Sequence, residues 1–210
     1  MGRVSAPARS GGTPGTEAKS ARGRNRREMI LSAAAGLFHR QGFHETGIDE
    51  IGAAVGITGP GVYRHFESKQ HLLAEILDRS MERHQEILTE VSACGLPAAE
   101  ALRKLVDLSA AALAENKDAA AIYFQEARNL PSSSAARLTR IQRSLIREWV
   151  HLLSNARPDI SEEDAHVAVR AAGGLLNSVA YFDTSMPDER LAKMLADMCY
   201  SALLADPKAR

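Results

Sequence analysis

The sequence has few cysteines, few aromatic residues and no long hydrophobic run. Only two cysteines occur in 210 residues, and Cys94 and Cys199 lie far apart and away from any histidine-rich spacing. We therefore expect a reduced, cytoplasmic protein in which both cysteines are small core residues. No apolar stretch approaches the roughly 20 residues of a membrane span, and the N-terminus lacks the apolar segment of a secretory signal.

The motifs of common enzyme classes are also missing from the sequence. It contains no glycine-rich phosphate loop after a strand, no HExxH, no GxSxG and no paired-cysteine motif. Seven histidines are present, but pairs such as His39 and His44 lack the spacing of metal ligands. The sequence therefore predicts no cofactor, no metal and no catalytic residue. An all-helical enzyme using Glu126 and His151 is the alternative.

Charge is unevenly distributed, although the net charge is zero. The first 27 residues hold seven basic residues and one acidic residue, so the remainder of the chain is net acidic. The first 23 residues are also rich in Gly, Ser, Ala and Pro, which favours disorder. Residues 1–23 are thus predicted to form a disordered basic arm, which is either a solvated tail or a segment that binds a polyanion.

Beyond this arm, hydrophobic residues recur with the period of an α-helix. The first helix is expected to end at Gly42, and a second, short helix ends at Gly56. Thr46 and Asp49 have the spacing of a capping box for that second helix. A long helix begins near Ser68, and further helices are predicted at about 98–115, 118–129, 134–155, 162–182 and 188–204. No strand-like alternation is found, so the predicted fold class is all-α.

The stretch ITGPGVYRHFESK, residues 57–69, begins a helix with two glycines and a proline. Because Gly and Pro are unfavourable inside a helix, we expect Thr58 to be the N-cap, with Gly59, Pro60 and Gly61 as the first turn. This end of the helix carries little side-chain bulk, so another molecule can approach its backbone closely.

Two short helices separated by Gly56, Ile57 and Thr58 indicate a helix-turn-helix, with a generic helical hairpin as the alternative. Three side chains on the second helix or just after it can donate hydrogen bonds to phosphate oxygens: Tyr63, His65 and Lys69. The first-turn amides of the helices that start near 58 and 68 can bind phosphate as well. Arg64 is able to make a bidentate contact with a guanine edge. Together these residues indicate DNA binding.

The segment GFHETGIDEIGAAVGITGPGVYRHFESKQHLL, residues 42–73, resembles the DNA-binding domain of TetR-type transcriptional regulators. The resemblance covers roughly residues 25–77. It implies a helix-turn-helix domain of three helices over 24–79, joined by a long fourth helix to a helical effector-binding and dimerisation domain over 80–210. It also implies a homodimer that binds double-stranded operator DNA. The DNA-contacting positions carried over are Thr46, Thr58, Gly59, Pro60, Gly61, Tyr63, Arg64, His65 and Lys69.

The C-terminal half contains no motif of comparable strength. Small-molecule sites are usually apolar cavities with a few polar groups. Aromatic and aliphatic residues of the predicted sixth and seventh helices are therefore candidates for such a site. The alternative is that these side chains only fill the core. The candidate effector-binding residues are Leu105, Tyr123, Phe124, Arg128, Leu145, Trp149 and Leu152. This composition favours a hydrophobic or amphipathic effector, with a lipid-derived thioester as one candidate, over a sugar.

The last two predicted helices carry small residues at helical spacing, such as Ala165, Ala168 and Ala172, and an apolar stripe that includes Leu191 and Leu195. An intramolecular bundle would explain both features. The family resemblance instead implies a homodimer through residues 162–182 and 188–204. The resulting expectation is a repressor that an effector releases from a palindromic operator. The alternative is a DNA-binding architectural protein without a ligand.

Overall fold

The computed structural model describes residues 14–182 and 184–205, and all regular structure in these residues is helical. The nine α-helices of this part are α1 (Pro14–Gln41), α2 (Ile48–Ala54), α3 (Gly59–Tyr63), α4 (Lys69–Ala93), α5 (Ala98–Glu115), α6 (Lys117–Glu126), α7 (Ser132–Ala156), α8 (Glu162–Leu176) and α9 (Asp188–Leu204). The predicted all-α fold is confirmed. None of the described helices is both long enough and apolar enough to cross a membrane.

Two predicted helices end in a tighter turn. The predicted helix 118–129 finishes as a 3-10 helix over Ala127–Asn129, and the predicted helix 162–182 continues from α8 as a 3-10 helix over Asn177–Tyr181. Such turns are frequent at helix ends, where backbone groups lose their intrahelical partners. Where α8 passes into the 3-10 helix, the side-chain amide nitrogen of Asn177 donates to the carbonyl oxygen of Gly173 at 2.7 Å.

Helix α1 includes residues 14–23, which were expected to belong to a disordered arm. Pro14 occupies the first helical position, where its missing N–H costs nothing, and Glu, Ala, Lys and Arg follow, all of which favour helix. Residues 1–13 of the predicted arm lie outside the described part of the chain. DNA binding by the basic residues of this arm stays a prediction.

The predicted capping box at the start of α2 is wrong. Gly47 is the N-cap residue and no side chain caps the helix. The hydroxyl of Thr46 instead donates to the carbonyl oxygen of Gly42 at 2.8 Å, and Thr46 is buried. This bond closes the turn after α1, where Gly42 has a φ of +87° that favours glycine. Thr46 therefore stabilises the loop between α1 and α2 rather than the helix that follows it.

The helices bury two large hydrophobic clusters. The N-terminal cluster joins α1, α2, α3 and the first half of α4, and it also contains Ala119 and Ile122 of α6 and Leu138 of α7. The C-terminal cluster is built mainly from α5, α7, α8 and α9. Helix α4 contacts α1 at one end and α5 and α7 along its length, so one continuous helix links the two halves.

Helix α2 approaches the turn before α3 so closely that Gly52 has no room for a side chain. A Cβ atom on Gly52 would lie 2.8 Å from the carbonyl oxygen of Ile57, which is backbone and cannot rotate away. We expect Gly52→Ala to lower the free energy of unfolding by roughly 1–2 kcal/mol, because overpacking outweighs the gain in helix propensity. Urea denaturation measures the change.

Gly36→Ala is the matched control for this prediction. Gly36 is also buried inside a helix, but the close neighbour of its added Cβ is the end of the flexible Arg40 side chain, at 2.9 Å. This variant should be neutral or slightly more stable. Equal stability of the Gly52→Ala and Gly36→Ala proteins would contradict the steric argument.

Candidate nucleic-acid interface and ligand cavity

Helix α3 turns one face toward solvent. Pro60, Tyr63 and Arg64 share this face by their three- and four-residue spacing, and all three are exposed, Tyr63 by 55%. We call these three residues the recognition face. Thr58, the predicted N-cap, is confirmed in that position and is also exposed, while His65 is half-buried. In the described residues, Arg64 forms no salt bridge, so its guanidinium is available to a ligand.

The two glycines of α3 do not share the exposure of the recognition face. Gly59 and Gly61 are buried. A Cβ on Gly59 would collide with the carboxylate of Asp49 in α2, and one on Gly61 would press on the side chain of Ile57 at 3.3 Å. The expectation that these glycines bare the helix for another molecule is therefore wrong. They allow α3 to pack closely on α2 and on the turn between the two helices.

Lys69 is engaged inside the protein. Its ammonium donates to the carbonyl oxygens of His44 at 3.2 Å and Thr46 at 2.9 Å, and it lies 4.6 Å from the ring centroid of Phe43. These contacts tie the first residue of α4 to the loop between α1 and α2. An ammonium has three N–H groups, so one stays available for a phosphate. The burial of Thr46 leaves its side chain no comparable role at a DNA surface.

The start of α4 retains backbone donors. Ser68 is the N-cap, and its hydroxyl accepts from the amide of His71 at 3.0 Å. The amide of Leu72 makes the first intrahelical bond, to the carbonyl oxygen of Ser68. The amides of Lys69 and Gln70 precede that bond and have no intrahelical acceptor, which is the usual arrangement of a phosphate-binding helix end.

Two arginines of α1 position the helix-turn-helix, a role that the sequence pattern did not reveal. Arg26 donates to the carbonyl oxygen of Val55 at 2.7 Å and so holds the end of α2. The guanidinium of Arg27 lies 4.5 Å from the ring centroid of Phe66 and pairs with Glu75 of α4. Basic residues in this segment therefore stabilise the domain as well as adding positive charge.

A buried carboxylate joins the two halves of the protein. Glu126, at the end of α6, is 7% exposed and accepts from the backbone amide of Phe43 at 3.1 Å and from the side-chain amide of Asn129 at 2.6 Å. Asn129 in turn contacts the imidazole of His44 at 3.0 Å. The loop after α1 is thus held by the C-terminal end of α6. We call Glu126, Asn129, Phe43 and His44 the α6 junction.

A cavity of about 330 Å³ lies between α4, α5, α6, α7 and α8. Four of the predicted effector-binding residues line it: Tyr123, Phe124, Leu145 and Trp149. Helix α4 contributes Ser80, Met81 and His84 to the wall. The helix that follows the recognition face directly in the chain therefore also forms one side of the cavity.

Three predicted effector-binding residues do not line this cavity. Leu105 is 1% exposed and packs with Ile87 and Val91 in a separate cluster between α4 and α5. Leu152 packs against the same cluster and lines a smaller cleft between the C-terminal end of α4 and α7. Arg128 is exposed in the 3-10 helix after α6. Helical spacing alone did not distinguish these core and surface positions from the cavity wall.

The polar groups of the cavity are few. His84 donates from Nδ1 to the carbonyl oxygen of Ser80 at 2.7 Å, and burial lowers the pKa of His84, which keeps the ring neutral. The hydroxyl of Tyr123 donates to Gln142 at 2.9 Å, and burial raises the pKa of Tyr123. The walls are otherwise mainly apolar, which suits a ligand with a hydrophobic body.

The chain matches two family models and several known proteins. The model "Bacterial regulatory proteins, tetR family" matches residues 30–76, and the model "Tetracyclin repressor-like, C-terminal domain" matches residues 95–203. The HTH-type transcriptional repressor KstR2 of Rhodococcus jostii (strain RHA1) is 34% identical over 105 residues, which are 50% of this chain and 52% of that protein. The chain therefore aligns with about half the length of this relative.

Solved structures share the fold over most of both chains. A TetR-family transcriptional regulator from Bordetella parapertussis 12822 has a TM-score of 0.73 at 25% identity, covering 82% of this chain and 93% of that one. AibR, in complex with isovaleryl coenzyme A and operator DNA, has a TM-score of 0.69 at 23% identity, covering 82% and 97%. With a helix-turn-helix at its N-terminal end and a C-terminal model match over more than half of its length, this chain belongs to the TetR family of bacterial regulatory proteins.

Proposed function

We propose that this protein is a DNA-binding transcriptional repressor, active in the cytoplasm, that a small amphipathic effector releases from its operator. The observation that carries the proposal is the course of α4. This helix begins at Lys69, five residues after Arg64 of the recognition face, and supplies Ser80, Met81 and His84 to the cavity wall. A ligand that favours one position of α4 over another must therefore change how the DNA-binding helices are placed.

An amphipathic effector suits the cavity better than a sugar does. Tyr123, Phe124 and Trp149 provide aromatic surface, and the cavity volume is at the lower end of the range typical of ligand sites. AibR was crystallised with isovaleryl coenzyme A, so the fold itself accommodates an acyl thioester. We propose a lipid-derived acid or thioester as the effector class, with the acyl chain in the cavity.

A second copy of the chain is the proposed partner of α8 and α9. The small residues predicted to approach that partner are used inside the chain instead, because Ala165 and Ala172 are buried in the C-terminal cluster with Leu191 and Leu195. Other apolar side chains of the two helices remain exposed: Val167 by 63%, Met194 by 44%, Met198 by 53% and Leu204 by 41%. Burial of this face in a homodimer would give the dimer two recognition faces, one from each protomer.

Footprinting with and without effector tests this function. Two helix-turn-helix units about 34–36 Å apart enter successive major grooves, so the protected site should be a near-palindrome. Isovaleryl and decanoyl coenzyme A should raise the melting temperature of the free protein and weaken protection of the operator, whereas coenzyme A without an acyl group serves as the control. A monomer on DNA, or a protected site without two-fold symmetry, would overturn the proposal.

A further inference from the structure

One wall of the cavity contains a buried hydroxyl group without a partner. Ser109 of α5 is 2% exposed, and among the described residues its Oγ is the only buried side-chain nitrogen or oxygen atom that has no hydrogen bond. Burying an unpaired hydroxyl is unfavourable, and such groups are rare in folded proteins. A helical serine can bond back to its own helix, but this one does not.

The described residues that line the cavity leave Ser109 without a hydrogen bond. Leu113, one turn along α5, and Trp149 of α7 are apolar neighbours in the cavity wall. The hydroxyl of Tyr123 donates to Gln142, and Nδ1 of His84 donates to a backbone carbonyl, so neither of these donors bonds to Ser109. The hydrogen-bonding capacity of Ser109 therefore remains for whatever fills the cavity.

The cavity also has a positively charged end. Arg170 of α8 lines it and is exposed, whereas Ser109 is almost fully buried. Arg170 forms no salt bridge with any described residue. A guanidinium at the solvent side favours a carboxylate or a phosphate there.

We propose that Ser109 determines the specificity of this cavity by selecting an amphipathic anion whose acyl chain carries an oxygen atom at its buried end. This inference rests on the proposed function and names its effector class more closely. The anionic end lies toward Arg170, and a keto or hydroxyl group of the chain bonds to Oγ of Ser109.

Matched probes that differ only in the chain oxygen test the inference. Decanoate and 9-oxodecanoate, each as the free acid and as the coenzyme A thioester, are titrated calorimetrically into the full chain and into Ser109→Ala. The natural protein should bind the keto form about tenfold more tightly, since a site with a buried polar group rejects an analogue that leaves it unpaired. The Ser109→Ala protein should lose this preference and bind decanoate at least as tightly as before.

A second variant separates the two ends of the ligand. Arg170→Gln should weaken all anionic probes by a similar factor and leave the preference for the keto form unchanged. The better-bound member of each acid and thioester pair identifies whether the anion is a carboxylate or a coenzyme A phosphate. Ser109→Ala removes one hydroxyl and no hydrogen bond of the folded chain, so an unchanged melting temperature confirms that the variant is folded.

The outcomes distinguish this inference from the proposed function. Equal affinity for decanoate and 9-oxodecanoate, or a keto preference that persists in Ser109→Ala, overturns the role of Ser109 while binding itself supports the effector class. Binding of none of the four probes by a protein that still protects its operator overturns both the role of Ser109 and the acyl effector. Loss of operator binding in the natural protein would instead contradict the repressor function.

Discussion

Glu126→Ala is expected to lower the free energy of unfolding by roughly 2–4 kcal/mol and to weaken the response of DNA binding to effector. The carboxylate of Glu126 accepts two hydrogen bonds, from the amide of Phe43 and from Asn129, in a nearly buried position. Alanine leaves the Phe43 amide without its acceptor and opens a cavity at the α6 junction. Hydrogen bonds to charged groups contribute about 1.5–3 kcal/mol each, and stranded buried donors add a further penalty.

The same residue connects the cavity to the DNA-binding domain. Tyr123 and Phe124 of α6 line the cavity, and Glu126 follows within one turn of the same helix. Through Phe43 it holds the loop whose carbonyl oxygens bind the ammonium of Lys69. Loss of the Glu126 contact should therefore reduce the factor by which effector changes operator affinity, which measures the coupling free energy between the two sites.

Glu126→Gln is the matched control. Its amide oxygen can still accept from the Phe43 amide, but its NH₂ group replaces the oxygen that accepts from Asn129. Urea denaturation should place its stability between those of the natural protein and Glu126→Ala. Titration of operator with and without effector should show that coupling is largely retained. A Glu126→Ala protein with unchanged stability and coupling would show that the α6 junction neither stabilises the fold nor couples the cavity to the DNA-binding domain.

The helices could be predicted from the sequence because their signals are local. Apolar residues at a period of 3.6 mark each helix, Gly42 supplies the positive φ at the end of α1, and Thr58 and Ser68 begin α3 and α4 as expected. The misjudged residues depend on contacts between segments. In the sequence Gly59 looks like an exposed position, but in the structure α2 packs against it. The spacing of Thr46 is that of a helix cap, but its hydroxyl bonds to the carbonyl oxygen of Gly42 instead.

The cavity was predictable only in part, for a related reason. Aromatic residues on α6 and α7 are unusual enough in this sequence to suggest a site, and Tyr123, Phe124 and Trp149 do line it. No pattern marks Ser109, because a serine among apolar residues on a helix looks like an ordinary core position. Its significance appears only when five helices close around it and leave its hydroxyl unpaired.

Arg64→Ala is expected to weaken operator binding by about 1–3 kcal/mol and binding to random DNA by much less. Arg64 shares the recognition face with Pro60 and Tyr63 and forms no salt bridge with any described residue, so its loss should not alter folding. A guanidinium on that face can make two hydrogen bonds to a guanine edge in the major groove. Alanine should therefore relax the base preference at one position of each half-site.

Arg83→Ala removes the same charge without touching the recognition face. Arg83 is exposed on α4 and lies about 20 Å along the helix from Lys69. Within the described part of the chain its one salt bridge is to nearby Glu86. Affinities for operator and for random DNA, measured across a salt series, separate base reading from phosphate contact. Parallel losses of Arg64→Ala on both DNAs, with a salt slope lowered by about 0.9, would make Arg64 a phosphate contact. A selective loss on operator, absent from Arg83→Ala, places base reading at Arg64, because the two variants differ in location and not in charge.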